Sequence, residues 1–95
     1  MIEKDIEKYL ISQIKKTGGL TWKLTSPSTS GVPDRLVIRQ GKCWFVELKR
    51  PKGSLRKLQK YRSSELQKQG FDVICLDTKN KVDQFIEYME RGEGL

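Results

Sequence analysis

The chain reads as an α/β domain, a mixed central sheet flanked by helices, in the order α-β-β-β-α-β-α. Three features of its 95 residues predict this. Apolar residues recur at helical spacing near both ends. Two strand-like runs joined by Gln40-Gly41 make a hairpin in the middle. A strand-like run, a helix-like run and another strand-like run follow one another in the second half, the pattern of a parallel crossover. Helices flanking a mixed sheet bury such elements well, and residues 1–95 are expected to form a single domain.

Taken in order, residues 2–17 carry Ile2, Ile6, Leu10 and Ile14 on one helical stripe, and Gly18-Gly19 ends the helix. Leu20, Trp22 and Leu24 alternate with Thr21, Lys23 and Thr25, the pattern of a half-buried strand. Ser26 to Pro33 is a Ser/Pro/Gly loop. Arg35–Arg39 and Lys42–Lys49 form the hairpin. One of its faces carries Leu36, Ile38, Cys43 and Phe45, the other Val37, Trp44, Val46 and Leu48, so both faces are expected to be covered. Pro51-Lys52-Gly53 breaks the strand, and Ser54 can cap a helix over about 55–69 with Leu55, Leu58, Tyr61 and Leu66 inward. Phe71–Asp77 is a short apolar strand. Val82, Phe85, Ile86 and Met89 stripe a last helix over about 79–91, capped by Asp77 or Thr78.

Composition narrows the chemistry. The chain is 36% hydrophobic and 33% charged, with a net charge of +7. Such a balance favours a polyanionic partner, most simply nucleic acid. No apolar run is long enough to span a bilayer, and no basic-then-apolar segment opens the chain, so no membrane partner and a cytoplasmic location are expected. Cys43 and Cys75 fall inside predicted strands and read as core. The absence of histidine excludes histidine-metal sites, Ser-His-Asp hydrolysis and any histidine base. Catalysis here would rest on carboxylates, lysine and a metal.

The hairpin supplies these groups. If Gln40-Gly41 is a two-residue turn, facing residues have numbers that sum to 81. Asp34 then lies opposite Glu47, with Cβ atoms roughly 4.5–5.5 Å apart. Lys49 points to the same face as Glu47. A one-residue change in the turn would break this parity. Two carboxylates suit Mg²⁺, with the Leu48 carbonyl a possible third ligand. Lys49 would stabilise charge on a scissile phosphate. On residue types alone, Glu47 paired with Lys49 or Arg50 is the plainer alternative. Gln59 neighbours Leu55 and Leu58, which would turn it inward towards the sheet, although on residue type alone a surface glutamine is the plainer reading. Lys23, Arg35, Arg50, Lys52, Arg56, Lys57 and Lys60 are candidates for phosphate contacts.

Pro33-Asp34 followed by Glu47-Leu48-Lys49 resembles the PD-(D/E)xK nuclease motif, and the element order resembles that superfamily's restriction-endonuclease-like core. Gly31-Val32-Pro33-Asp34-Arg35-Leu36-Val37, then Phe45-Val46-Glu47-Leu48-Lys49 and a helix with Gln59, resembles the VRR-Nuc family over nearly the whole chain. The resemblance implies an Mg²⁺- or Mn²⁺-dependent deoxyribonuclease that leaves 5′-phosphate and 3′-hydroxyl ends and needs no small-molecule cofactor. It implies Asp34 and Glu47 as metal carboxylates, Lys49 as the catalytic lysine and Gln59 as a helix glutamine of the site. It also implies a glutamate on the first helix. Glu3 and Glu7 both qualify by type. Glu7 stands eleven residues before Gly18, a spacing similar to that of Holliday-junction resolvases, and is chosen on that ground. Small stand-alone members occur in phages and bacteria, which implies a bacterial or phage-infected host cell, a homodimer and activity on branched DNA such as four-way junctions. The competing reading is a non-catalytic nucleic-acid-binding module on the same fold.

Overall fold

The computed structural model describes residues 2–92. Its elements are α1 (Glu3–Lys16), β1 (Leu20–Lys23), β2 (Arg35–Arg39), β3 (Lys42–Leu48), α2 (Lys57–Lys68), β4 (Val73–Leu76) and α3 (Lys79–Gly92). The expected α-β-β-β-α-β-α order is therefore present. The four strands form one sheet in the order β1-β2-β3-β4. β1, β2 and β3 pair antiparallel, and β3 pairs parallel with β4 across the α2 crossover.

Helix α1 is set by its stripe and its ends. Ile6, Leu10 and Ile14 are fully buried. The Asp5 carboxylate accepts from the Ile2 N–H, and Glu3 and Asp5 lie in the first turn with Lys15 and Lys16 in the last, as the helix dipole favours. The Thr17 hydroxyl donates to the Ile14 carbonyl at the other end. In α3, Val82, Phe85 and Met89 are buried, and Thr78 rather than Asp77 accepts from the Lys81 N–H at the N-terminus. Together α1 and α3 cover Val37, Trp44, Val46 and Leu48 of the sheet, with Trp44 edge-on to Phe85.

The other face is less covered. Helix α2 and the segment before β2 gather around Phe45, which also packs edge-on against Phe71. Towards β1 the cover ends: Leu20 is 52% and Trp22 59% exposed. The alternation in β1 is as expected, but its apolar side faces outward and Thr21 faces the helical layer. An edge strand has a neighbour on one side alone, and α2 does not reach this far. The two-sided cover expected for the hairpin is thus complete on one face and partial on the other.

Helix α2 departs most from expectation. It starts at Lys57, with Arg56 at the cap position and Gln59 Oε1 accepting from the Arg56 N–H at 2.9 Å. Ser54 does not cap it. Its buried residues are Gln59 and Ser63, four apart, while Leu58 and Tyr61 are exposed. Starting the helix at Lys57 leaves Leu55 outside it, so the inward stripe is polar. Cys43 is half-buried and Cys75, on edge strand β4, is exposed, so neither is a core residue, and both are free thiols. No helix among the described residues is long and apolar enough to cross a membrane.

Candidate active site at the open end of the hairpin

The turn keeps the parity on which the site depends. Gln40 and Gly41 have φ of 49° and 79°, both left-handed, as a two-residue type I′ turn requires. β2 pairs with β3 as Arg35↔Val46 through Arg39↔Lys42. One step further, Asp34 stands across from Glu47. The Asp34 carboxylate accepts a hydrogen bond from the Leu48 N–H at 2.7 Å. The Asp34 carbonyl accepts from the Leu24 N–H at 2.8 Å. The acid is therefore fixed by main chain on both sides.

Glu47 is 0% exposed, and both its carboxylate oxygens are buried without a hydrogen-bond donor. Burial, and then the Asp34 carboxyl beside it, push its pKa up to about 8, while Lys49 opposes the shift and Glu3 adds to it. A sealed carboxylate with no donor is costly as an anion. Two adjacent acids, one of them unpartnered, fit a small hard cation, which is often held by one or two carboxylates with water and substrate phosphate completing the shell. Among the described residues, no three His, Cys, Asp or Glu side chains form a ready-made cage. Lys49 lies just past β3, half-buried, its N–H donating to the Leu76 carbonyl at 3.0 Å.

The loop before Asp34 is fixed by a close approach. Gly31 has φ +84°, and a Cβ there would lie 2.7 Å from Leu58 Cγ. Only glycine lets the loop dock on α2 in this conformation. Pro33 is buried and leads into Asp34. Gln59 is buried one residue beyond Leu58, held by its bond to the Arg56 N–H.

Helix α1 meets the hairpin end across a cleft of about 320 Å³ lined by Glu3, Lys4, Glu7, Lys23, Asp34 and Leu48. Both candidate glutamates reach it. Glu7, the one chosen from helix-to-glycine spacing, already has a cation: its Oε2 accepts from Arg35 Nη1 at 2.9 Å. Glu3 is exposed, and its charge acts on Glu47. Arg35 also departs from the expected phosphate contact. It is only 8% exposed and bonds Thr21 as well as Glu7. Strand parity places it with Val37 on the face beneath α1, a signal already present in the sequence. Lys23, Arg50, Lys52, Arg56, Lys57 and Lys60 are exposed.

A helix-led mixed sheet with carboxylates at the open end of its central hairpin is a restriction-endonuclease-like α/β fold. A solved structure described as a VRR_NUC domain superposes with a TM-score of 0.84 at 32% identity, covering 90% of this chain and 95% of the other. A protein named "Putative nuclease p44", from Acyrthosiphon pisum secondary endosymbiont phage 1, is 42% identical over 79 residues, 82% of this chain and 85% of its own length. No protein-family model matches the chain. At this identity and coverage, the chain belongs to the VRR-Nuc family.

Proposed function

We propose that this chain is a metal-dependent DNA endonuclease of the PD-(D/E)xK type. The observation that carries the reading is Glu47: sealed from water, without a donor, beside Asp34. Family membership and the phage relative named as a nuclease support nuclease activity.

Asp34 and Glu47, with the Leu48 carbonyl, would hold Mg²⁺ or Mn²⁺, and a glutamate of α1 would complete the set. When bound, the metal polarises a phosphoryl oxygen and lowers the pKa of a bound water. The chain's residues do the rest. Asp34, pinned by the Leu48 N–H, keeps one carboxylate in place. Lys49 lends positive charge to the scissile phosphate and orients the attacking water. Gln59 steadies the N-terminus of α2 beside the site. Water adds to phosphorus and the 3′ oxygen leaves, giving 5′-phosphate and 3′-hydroxyl ends. The exposed basic residues around α2 and Lys23 hold the backbone, with steep salt dependence and little base preference.

The open apolar side of β1, with Leu20 and Trp22, supports a homodimer. Two sites related by a twofold axis suit a symmetric branched substrate such as a four-way junction. The test is cleavage of labelled linear, flap and four-way-junction DNA with Mg²⁺, Mn²⁺ or EDTA, with Asp34→Asn and Lys49→Ala beside the parent. Metal-dependent cleavage lost in both variants, with DNA binding retained, is the expected result. Tight binding without cleavage in either metal would make the chain a binding module instead.

A further inference from the structure

Arg35 follows the aspartate of the Gly-Val-Pro-Asp stretch, yet its side chain is buried beneath α1 and not presented to solvent. Its guanidinium donates to Glu7 Oε2 at 2.9 Å, to Thr21 Oγ1 at 3.1 Å and to the Thr21 carbonyl at 3.3 Å. Thr21 Oγ1 in turn donates to the Leu36 carbonyl at 2.8 Å. These bonds join α1, β1 and β2 at the one end of the sheet where Asp34 stands. Arg35 is buried and the side chain of Glu7 is three-quarters covered, 26% exposed. Such a pair is poorly placed to bind a polyanion. It is well placed to fix how helix α1 lies over the cleft it shares with Asp34 and Leu48.

We propose that Arg35 and Glu7 form a latch that positions α1 over the carboxylate pair, so that Glu7 acts through Arg35 and Glu3 is the α1 carboxylate facing the metal position. The proposal deepens the nuclease reading and rests on it for the metal. Two observations carry it. A carboxylate bound to a guanidinium is a poorer ligand for a dication, because the arginine charge repels the incoming ion. Glu3 lies one helical turn before Glu7, on the same helix face, and lines the same cleft as Asp34. Arg35 and Glu7 are thus positioning residues. Supporting contacts of this kind typically tune metal affinity by about 10–100-fold.

The test is Mn²⁺ calorimetry on the folded full-length chain, with amide exchange at the first turns of α1 measured without metal. Glu7→Ala and Arg35→Met are each expected to weaken Mn²⁺ binding by about tenfold and to speed exchange in α1. In a latch the two act as one unit, so the double variant should be little weaker than either single. Glu7→Gln keeps an oxygen for the guanidinium and should hold Mn²⁺ affinity within about threefold of the parent, whereas Glu3→Gln should lose about tenfold. Should Arg35→Met not fold, Arg35→Lys keeps the charge, loses the fork and serves the same comparison. Additive losses in the double variant, or Glu7→Gln as weak as Glu7→Ala, would overturn the latch and make Glu7 a ligand. Unchanged exchange in α1 on loss of the Arg35 fork would overturn it too. A parent that binds no Mn²⁺, with α1 exchange still quickened in Arg35→Met, would sink the metal reading while upholding the tether.

Discussion

At the residue scale, Glu47 sets the behaviour of the site. An ordinary glutamate titrates near 4.5, and this one near 8. The native state therefore holds its proton longer than the unfolded chain does. Between these values the native state binds more protons, so metal-free stability falls as pH rises, by at most about 1.4 kcal/mol per pH unit. Below the unfolded value the penalty is absent, and above pH 8 it is complete. Glu47→Gln removes it. In EDTA the variant should melt at a higher temperature than the parent at about pH 9, and the two should converge near about pH 4, as thermal melts across pH would show. In the proposed reaction Lys49 acts on the scissile phosphate and not on the fold. Lys49→Ala should cut kcat by about 10²–10³ while leaving Mn²⁺ affinity within about threefold, which single-turnover cleavage and calorimetry would separate. The carboxylate pair was legible in the sequence because strand parity alone places Asp34 and Glu47 together. Arg35 follows the same rule: its parity with Val37 points it under α1, but a basic residue beside a nuclease motif also suits phosphate contact, and charge by itself does not tell a guanidinium in solvent from one in an ion pair.

At the element scale, the β2–β3 turn holds the site in register. Gly41 has φ 79° and open space around its Cβ position. Its replacement by alanine therefore carries a backbone cost alone, about 1 kcal/mol in urea melts. Gln40 has the left-handed conformation too, and asparagine tolerates it better. Gln40→Asn should therefore raise stability by a few tenths of a kcal/mol, roughly. One residue inserted between Gln40 and Gly41 should abolish cleavage outright, because it moves Glu47 away from Asp34. Helices α1 and α3 were legible because their apolar stripes are regular. Helix α2 was not, because its inward side is Gln59 and Ser63. A polar stripe carries no hydrophobic period, so the stripe of Leu58 and Tyr61 beside it, which is exposed, was read as the inward side. Its true start depends on the Gln59 side chain reaching back to the Arg56 N–H, the N3 half of a capping box whose usual Ser or Thr at the cap is here an arginine, which hides the signal.

At the scale of the whole molecule, one sheet face is sealed by α1 and α3 and the other is open towards β1. The sequence showed both faces of the hairpin to be apolar. Which of them stays open depends on how far α2 reaches, and that is a property of tertiary packing. For a second copy to cover Leu20 and Trp22, the protein should run at about twice its 11.0 kDa mass in light scattering. Leu20→Glu with Trp22→Glu should reduce it to a single chain, since two carboxylates cannot be buried there unpaired. The net charge of +7 should appear as DNA affinity that drops steeply with salt.

The whole of the proposed reaction depends on Asp34 and Glu47 holding a divalent cation. The measurement closest to it is Mn²⁺ calorimetry of the parent and Glu47→Gln near neutral pH, in two buffers of different ionisation enthalpy. Because Glu47 is protonated there without metal, the parent should bind Mn²⁺ with release of close to one proton, and Glu47→Gln should bind at least about tenfold more weakly with no such release. Equal binding by the two proteins, or binding by the parent without proton release, would contradict the account.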